Sequence, residues 1–265
     1  YLLIIKILSL YNLRLNNLIV GDGSIIFAKL ISDNFKYINN TVVVGDGTDL
    51  IIQNESKKEI RYYCRIGMKA KIILKLLNLK FNDEYKYDEL FTYLQVDDPR
   101  LKLNDFSILK NFIKESQSNI VDYNCIYFLG TILLDRFKKE EVEGIYKQIF
   151  DRYSTLKIKY IPHRRATLEE IEIARSTGRV TIMESKGTII ETFFMENNII
   201  PITLGSFFSN AIFSLAAIYP KLNIEVFHVI RREGENIFNP TERRIREIMS
   251  NEILDDRIRC KMIQI

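Results

Sequence analysis

The feature that most constrains this chain is a repeated unit: a short unbroken apolar run, a stop at glycine or proline, then apolar residues at helical spacing. Cys125-Ile126-Tyr127-Phe128-Leu129 stops at Gly130, and Val142, Ile145, Tyr146, Ile149, Phe150 and Tyr153 then mark one face of a helix. Leu156 to Ile161 is halted by Pro162, and Thr167 with Glu170 forms a capping-box signature for the next helix. Val180–Met183 reads as a strand and Thr188–Asn197 as a helix. Ile202–Leu204 then stops at Gly205 before a helix through Ala217, and Leu222–Phe227 closes the series. Continuous rather than alternating apolar strands imply a sheet buried on both faces, and strand–helix alternation implies parallel pairing. The expected fold class is α/β, with parallel sheets.

The first half carries the same pattern less clearly. Leu18-Ile19-Val20 runs into Gly21-Asp22-Gly23-Ser24 and a helix-like stretch from Ile25 to Ile31, and Thr41–Val44 stops at Gly45-Asp46-Gly47-Thr48. Arg65–Lys80 alternates lysine with isoleucine and leucine at helical spacing, which suits either a solvated surface helix or a basic amphipathic helix that touches lipid. Charge dominates from Asp83 to Asn119, which places a domain boundary near 120. The division expected is 1–119, 120–240, and a charged helical segment, 241–265, packing back on the first domain. The chain opens inside an apolar segment without an initiator methionine, so a missing N-terminal portion of the first domain is expected.

Composition excludes several classes. With 265 residues, 47% hydrophobic and 27% charged, the chain can bury a core. A net charge of +4 fits an enzyme of anionic ligands and lacks the dense basic stripe of a nucleic-acid binder. Two histidines and three scattered cysteines suit neither a metal site nor a disulfide framework, and a reducing cytoplasm follows.

In doubly wound sheets ligands bind beyond the carboxyl ends of strands. Two motifs fall there. Pro162-His163-Arg164-Arg165 sets a histidine and two fixed cations just after a strand, where guanidiniums can grip a phosphate or carboxylate. Taken alone it is a solvated basic turn; its position favours function. Gly205-Ser206-Phe207-Phe208-Ser209-Asn210 opens an apolar helix whose unpaired amides and dipole suit a phosphate, although a serine there also serves as an N-cap. Val-Gly-Asp-Gly occurs twice, so Asp22 and Asp46 are both candidates for a general base. Glu184 and Glu191 flank Ser185-Lys186-Gly187 and could hold a ribose or base edge; His228 closes an apolar strand and reads as structural.

These motifs, in this order, resemble those of bacterial lipooligosaccharide sialyltransferases and capsular polysialyltransferases. That family has an acidic turn in its first domain, then a histidine turn and a helix-opening serine pair in its second. Val43–Thr48 stands at the acidic turn, Tyr160–Arg165 at the histidine turn with proline before the histidine, and Ser206–Ala211 at the serine motif with Asn210 at the second serine. Gly45 departs from the pattern by replacing a carboxylate, which leaves Asp46 or Asp49 to compensate.

The resemblance implies a GT-B architecture of two Rossmann-type domains, acceptor on the first and nucleotide sugar on the second. It implies inverting, metal-independent transfer of sialic acid from CMP-sialic acid to a glycan hydroxyl, with no cofactor beyond that donor. Asp46 and His163 are then the catalytic pair, and Pro162, Arg164, Arg165, Glu191, Gly205, Ser206, Ser209 and Asn210 bind substrate. The partners implied are a nucleotide sugar and a glycan acceptor, with no nucleic acid. A cytoplasmic chain, peripheral on the inner face of the cell membrane, is expected, with room for a homodimer.

Overall fold

The computed structural model describes residues 5–7, 10, 14–21, 26–45, 62–63, 66–82, 84–85, 87–93, 98–115, 119–184, 188–207, 209, 211–230 and 258–264. The chain forms two compact units, Tyr1–Asp105 and Phe106–Ile265. The boundary expected near 120 thus lies inside the second unit, which also contains helix α3 (Ser107–Glu115).

In the first unit, strands β1 (Arg14–Gly21), β2 (Tyr37–Val44), β5 (Glu89–Thr92) and β6 (Leu101–Leu103) form a four-stranded sheet in that order. Every pairing in it is parallel. Helix α1 (Ile26–Asn34) links β1 to β2. A short antiparallel pair, β3 (Tyr62–Tyr63) with β4 (Glu84–Tyr85), accompanies helix α2 (Met68–Leu76). Leu74 of α2 packs with Ile5, Leu30 and Leu79 in a small core. Strands β5 and β6 arise from the charge-rich stretch in which no regular pattern was legible, because runs of three or four residues are too short to show a period.

The second unit carries the clearer architecture. Besides the small parallel pair β7 (Ile120–Asp122) and β11 (Ile199–Pro201), six strands form one sheet. They are β8 (Cys125–Leu129), β9 (Lys157–Ile161), β10 (Val180–Ile182), β12 (Thr203–Ser206), β13 (Asn223–Ile230) and β14 (Ile258–Gln264). Their spatial order is β10-β9-β8-β12-β13-β14, and every pairing is parallel. Numbered by appearance within this sheet the order is 3-2-1-4-5-6, that of a Rossmann-like doubly wound fold. The chain winds outward from β8 in one direction through β10, then returns beside β8 and winds the other way.

Helices α4 (Lys139–Asp151) and α5 (Leu168–Ser176) connect the first three of these strands. The face formed by Ile126, Phe128, Ile158 and Tyr160 meets α4 residues Val142, Ile145, Tyr146 and Phe150 in the main core. The opposite face meets α6 (Ile190–Glu196) and α7 (Ala211–Ile218): the Tyr127 ring lies edge-on to Phe194, and Phe194 to Tyr219. Phe128 sits at the centre of the first layer, with ring contacts to Tyr146, Phe150, Tyr160, Phe207 and Phe227. Such pairs contribute about 0.5–1.5 kcal/mol each beyond burial itself.

Strand β14 is a correction. Residues 241–265 were expected to be a helical segment returning to the first domain, whereas Ile258–Gln264 is a strand along β13 in the second sheet. Ile258-Arg259-Cys260-Lys261-Met262 alternates apolar and basic residues with a period of two, which suits an edge strand. The helix expected at 241–250 lies outside the described residues.

Gly205 acquires a structural reason. A Cβ there would come within 2.6 Å of the Phe128 ring and 3.2 Å of Ile126. Phe128, hemmed in by five rings, cannot move aside. Gly205→Ala is therefore expected to destabilise the fold by about 2 kcal/mol, read as a lowered urea midpoint. In a Phe128→Leu background the added loss should shrink, since the two positions share one space. An unchanged midpoint for Gly205→Ala would show that the glycine is not there for packing.

Candidate functional site

The site is assembled from loops at the carboxyl edge of the six-stranded sheet. Strand β9 ends where Pro162 withdraws its amide from the ladder. The next residues close a turn, with the Ala166 N–H donating to the His163 carbonyl at 2.8 Å. Arg164 and Arg165 are exposed, and His163 is half-buried. The Arg165 N–H donates to His163 Nδ1 at 3.2 Å. In the neutral ring this bond leaves the proton on Nε2, so the imidazole presents an N–H donor away from its own turn. Burial lowers the His163 pKa below 6.5, and the neighbouring Arg165 and Arg164 charges lower it further.

Strand β12 ends on the same edge. Ser206 is buried, Phe207 turns into the Phe128 core, and Ser209 lies half-buried before α7. The Ala211 N–H, the first of α7, donates to Ser209 Oγ at 3.4 Å, while the serine's hydroxyl proton can still be donated outward. Strands β9 and β12 are separated by β8 alone. Two strand spacings, about 10 Å, therefore divide the points from which the two loops arise. The reversal of winding direction falls between β8 and β12, and Gly130 and Ser206 stand at its two sides.

Glu170 joins the loops that follow β8 and β9. It is 1% exposed, yet its carboxylate is fully engaged. One oxygen accepts the N–H groups of Leu133 and Leu134 at 3.0 and 3.3 Å. The other accepts the Thr167 N–H at 2.9 Å and the Thr167 hydroxyl at 3.3 Å. The capping box expected from Thr167 and Glu170 is present at the start of α5, and the same carboxylate also ties that start to the loop after β8. This second role was missed, because sequence shows a cap residue three positions away but not a loop 36 or 37 positions back. Beneath it, Tyr146 and Tyr160 share a hydroxyl–hydroxyl bond of 2.8 Å.

Glu191 lies in the first turn of α6 and accepts a hydrogen bond from Ser214 Oγ on α7. Its carboxylate is thus held at the α6–α7 contact, apart from the histidine turn's own hydrogen bonds. Glu184 is exposed after β10, and His228 is buried within β13. Asp22, Asp46, Asp49, Phe208 and Asn210 lie outside the described residues. Gly45 is described; its N–H donates to the Phe91 carbonyl at 3.0 Å, which extends the β2–β5 ladder. Among the described residues no group of three histidine, cysteine, aspartate or glutamate side chains is placed to hold a metal ion.

Chemically, this edge offers two exposed guanidiniums, a neutral imidazole donor, a serine hydroxyl and the positive end of helix α7, the start of α5 being taken by its own capping box. That set suits an anion with several oxygens, such as a phosphate, better than a neutral ligand. Compared with known proteins, the chain matches no family model and no curated sequence.

Proposed function

We propose that the chain is a glycosyltransferase that moves sialic acid from CMP-sialic acid to a glycan hydroxyl with inversion, within a GT-B architecture. The observation that carries this reading is the strand order β10-β9-β8-β12-β13-β14, in which the strands leading to His163–Arg165 and to Ser206 end on one sheet edge astride the winding reversal.

In the proposed reaction the acceptor hydroxyl attacks the anomeric carbon, that carbon's bond to the phosphate oxygen breaks, and CMP departs with the electron pair. His163 Nε2–H, the two arginines and the amides opening α7 stabilise the departing phosphate. Asp46 takes the acceptor proton. Glu191, steadied by Ser214, holds the cytidine. Binding energy comes chiefly from the phosphate, because charge-assisted hydrogen bonds contribute about twice what neutral ones do.

A thermal-shift panel of CMP, CDP, UDP and GDP tests the donor. At a hundred times its dissociation constant, a ligand adds about 2.7 kcal/mol of stability. For a chain of this size that corresponds to roughly 5–10 °C. Cytidine nucleotides should give this shift; a shift with UDP or GDP and none with CMP would assign another nucleotide sugar. Gly45, where the resembling family has a carboxylate, favours a second reading: a non-catalytic scaffold in envelope glycan assembly that retains nucleotide binding. Tight CMP binding without turnover on any acceptor would establish it.

A further inference from the structure

Helix α2 is turned the wrong way round for a helix that meets only water. Leu74 is its buried residue, 4% exposed and packed with Ile5, Leu30 and Leu79. At about 100° per residue, Ile72 and Leu76 each lie roughly 160° around the axis from Leu74, so they form the outermost line of the helix. Met68, one turn before Ile72, continues that line. These side chains are strongly exposed: Met68 79%, Ile72 54% and Leu76 80%. A solvated helix carries its charges on this outermost line and its apolar residues inward.

The lysines instead flank the ridge. Lys69 lies on one side, and Lys75 and Lys71 on the other, and Met68–Leu76 contains no acidic residue. On the Lys71–Lys75 side a groove of about 640 Å³ is lined by these two lysines together with Leu74, Leu79 and Phe81. A protruding apolar ridge bordered by cations fits a layered partner, with hydrocarbon at its centre and phosphates to either side. Long lysine stems can reach outward to the phosphates while the ridge is immersed.

We propose that α2 docks this chain on the surface of an anionic phospholipid bilayer, with Met68, Ile72 and Leu76 entering the acyl boundary and Lys69, Lys71 and Lys75 meeting headgroup phosphates. Among the described residues no helix is long and apolar enough to cross a membrane. This inference is independent of the donor-site reading.

The test is flotation of the full chain with vesicles of phosphatidylcholine alone or with one-third phosphatidylglycerol. Expected is at least tenfold stronger partitioning onto the phosphatidylglycerol vesicles. Raising salt should weaken it, and both Ile72→Ser/Leu76→Ser and Lys69→Gln/Lys71→Gln/Lys75→Gln should cut it at least tenfold. All five positions lie on the exposed side of α2, and circular dichroism together with an unchanged urea midpoint verifies that each variant is folded. Equal partitioning onto both vesicle types, or binding indifferent to either set of substitutions, overturns the proposal. So does a dimer of the parent chain that Ile72→Ser/Leu76→Ser converts to monomer in sedimentation without altering vesicle binding, since the ridge is then a contact between two copies.

Discussion

Transfer from CMP-sialic acid is expected to slow by roughly two to three orders of magnitude in His163→Ala, the usual consequence of deleting one preorganised donor to a developing anion. Arg164→Ala/Arg165→Ala is expected instead to weaken CMP binding by roughly 10- to 100-fold, through lost charge-assisted hydrogen bonds. The distinction rests on geometry. His163 is half-buried with Nδ1 occupied by the Arg165 N–H, which fixes where Nε2 points, whereas both guanidiniums are exposed and, under the proposed function, would act by charge alone.

The pH dependence supplies an internal control. Burial, then Arg165 and Arg164, lower the His163 pKa beneath 6.5, so the free ring is neutral at pH 7. A bound phosphodiester favours the imidazolium and raises that pKa. Binding therefore takes up proton as pH falls, and affinity for CMP-sialic acid, whose phosphodiester stays singly charged, should rise below neutral pH. Folding runs the opposite way. Between the lowered pKa and 6.5 the unfolded chain holds more protons, so the ligand-free protein loses stability as pH falls through that window. Calorimetry across pH 5–8 should show the rise in affinity in the parent chain and a flat profile in His163→Ala. Undiminished turnover in His163→Ala, or a flat profile in the parent, would remove the histidine from the reaction.

The second large effect is on stability. Glu170→Ala is expected to cost about 3 kcal/mol, because three backbone N–H groups lose their acceptor, that of Leu133 fully buried and those of Leu134 and Thr167 partly so. Thr167→Ala, which removes the helix cap and the hydroxyl bond to Glu170 but leaves the Leu133 and Leu134 bonds in place, should cost about 1 kcal/mol. Urea midpoints at constant slope measure both. Glu169, the exposed neighbour in the same helix turn, is the control, and a loss at Glu170 no larger than that of Glu169→Ala would mean that the carboxylate does not brace the two loops. Nucleotide affinity should fall together with stability, since the His163 turn leads directly into the Thr167 cap.

Long elements were legible in the sequence, and their reasons are physical. Strand β8 was readable to the residue because five consecutive buried side chains stop at a glycine. Helix α4 was readable because its buried residues recur at helical spacing, and α5 because its cap is local. Strands β5, β6 and β7 are too short to show a period, and β14 was hidden by lysine and arginine that read as surface-helix charge. The end of β9 was legible because Pro162 marks it, whereas the stop expected at Gly205 is a rung inside β12, which runs on to Ser206. What holds the two anion motifs was not legible: the reach of Glu170 to Leu133 and Leu134, and the space Gly205 leaves for Phe128, are non-local facts.

The β8–β12 pairing has a consequence for how such a protein can change. It is a three-rung ladder, Leu204 with Tyr127, Gly205 with Phe128 and Ser206 with Leu129. The histidine turn belongs to the half wound before this join and the serine loop to the half wound after it, so neither half alone carries both. Under the proposed function, natural selection for donor use acts on the stitching itself, and Gly205 and Phe128 are constrained as a couple.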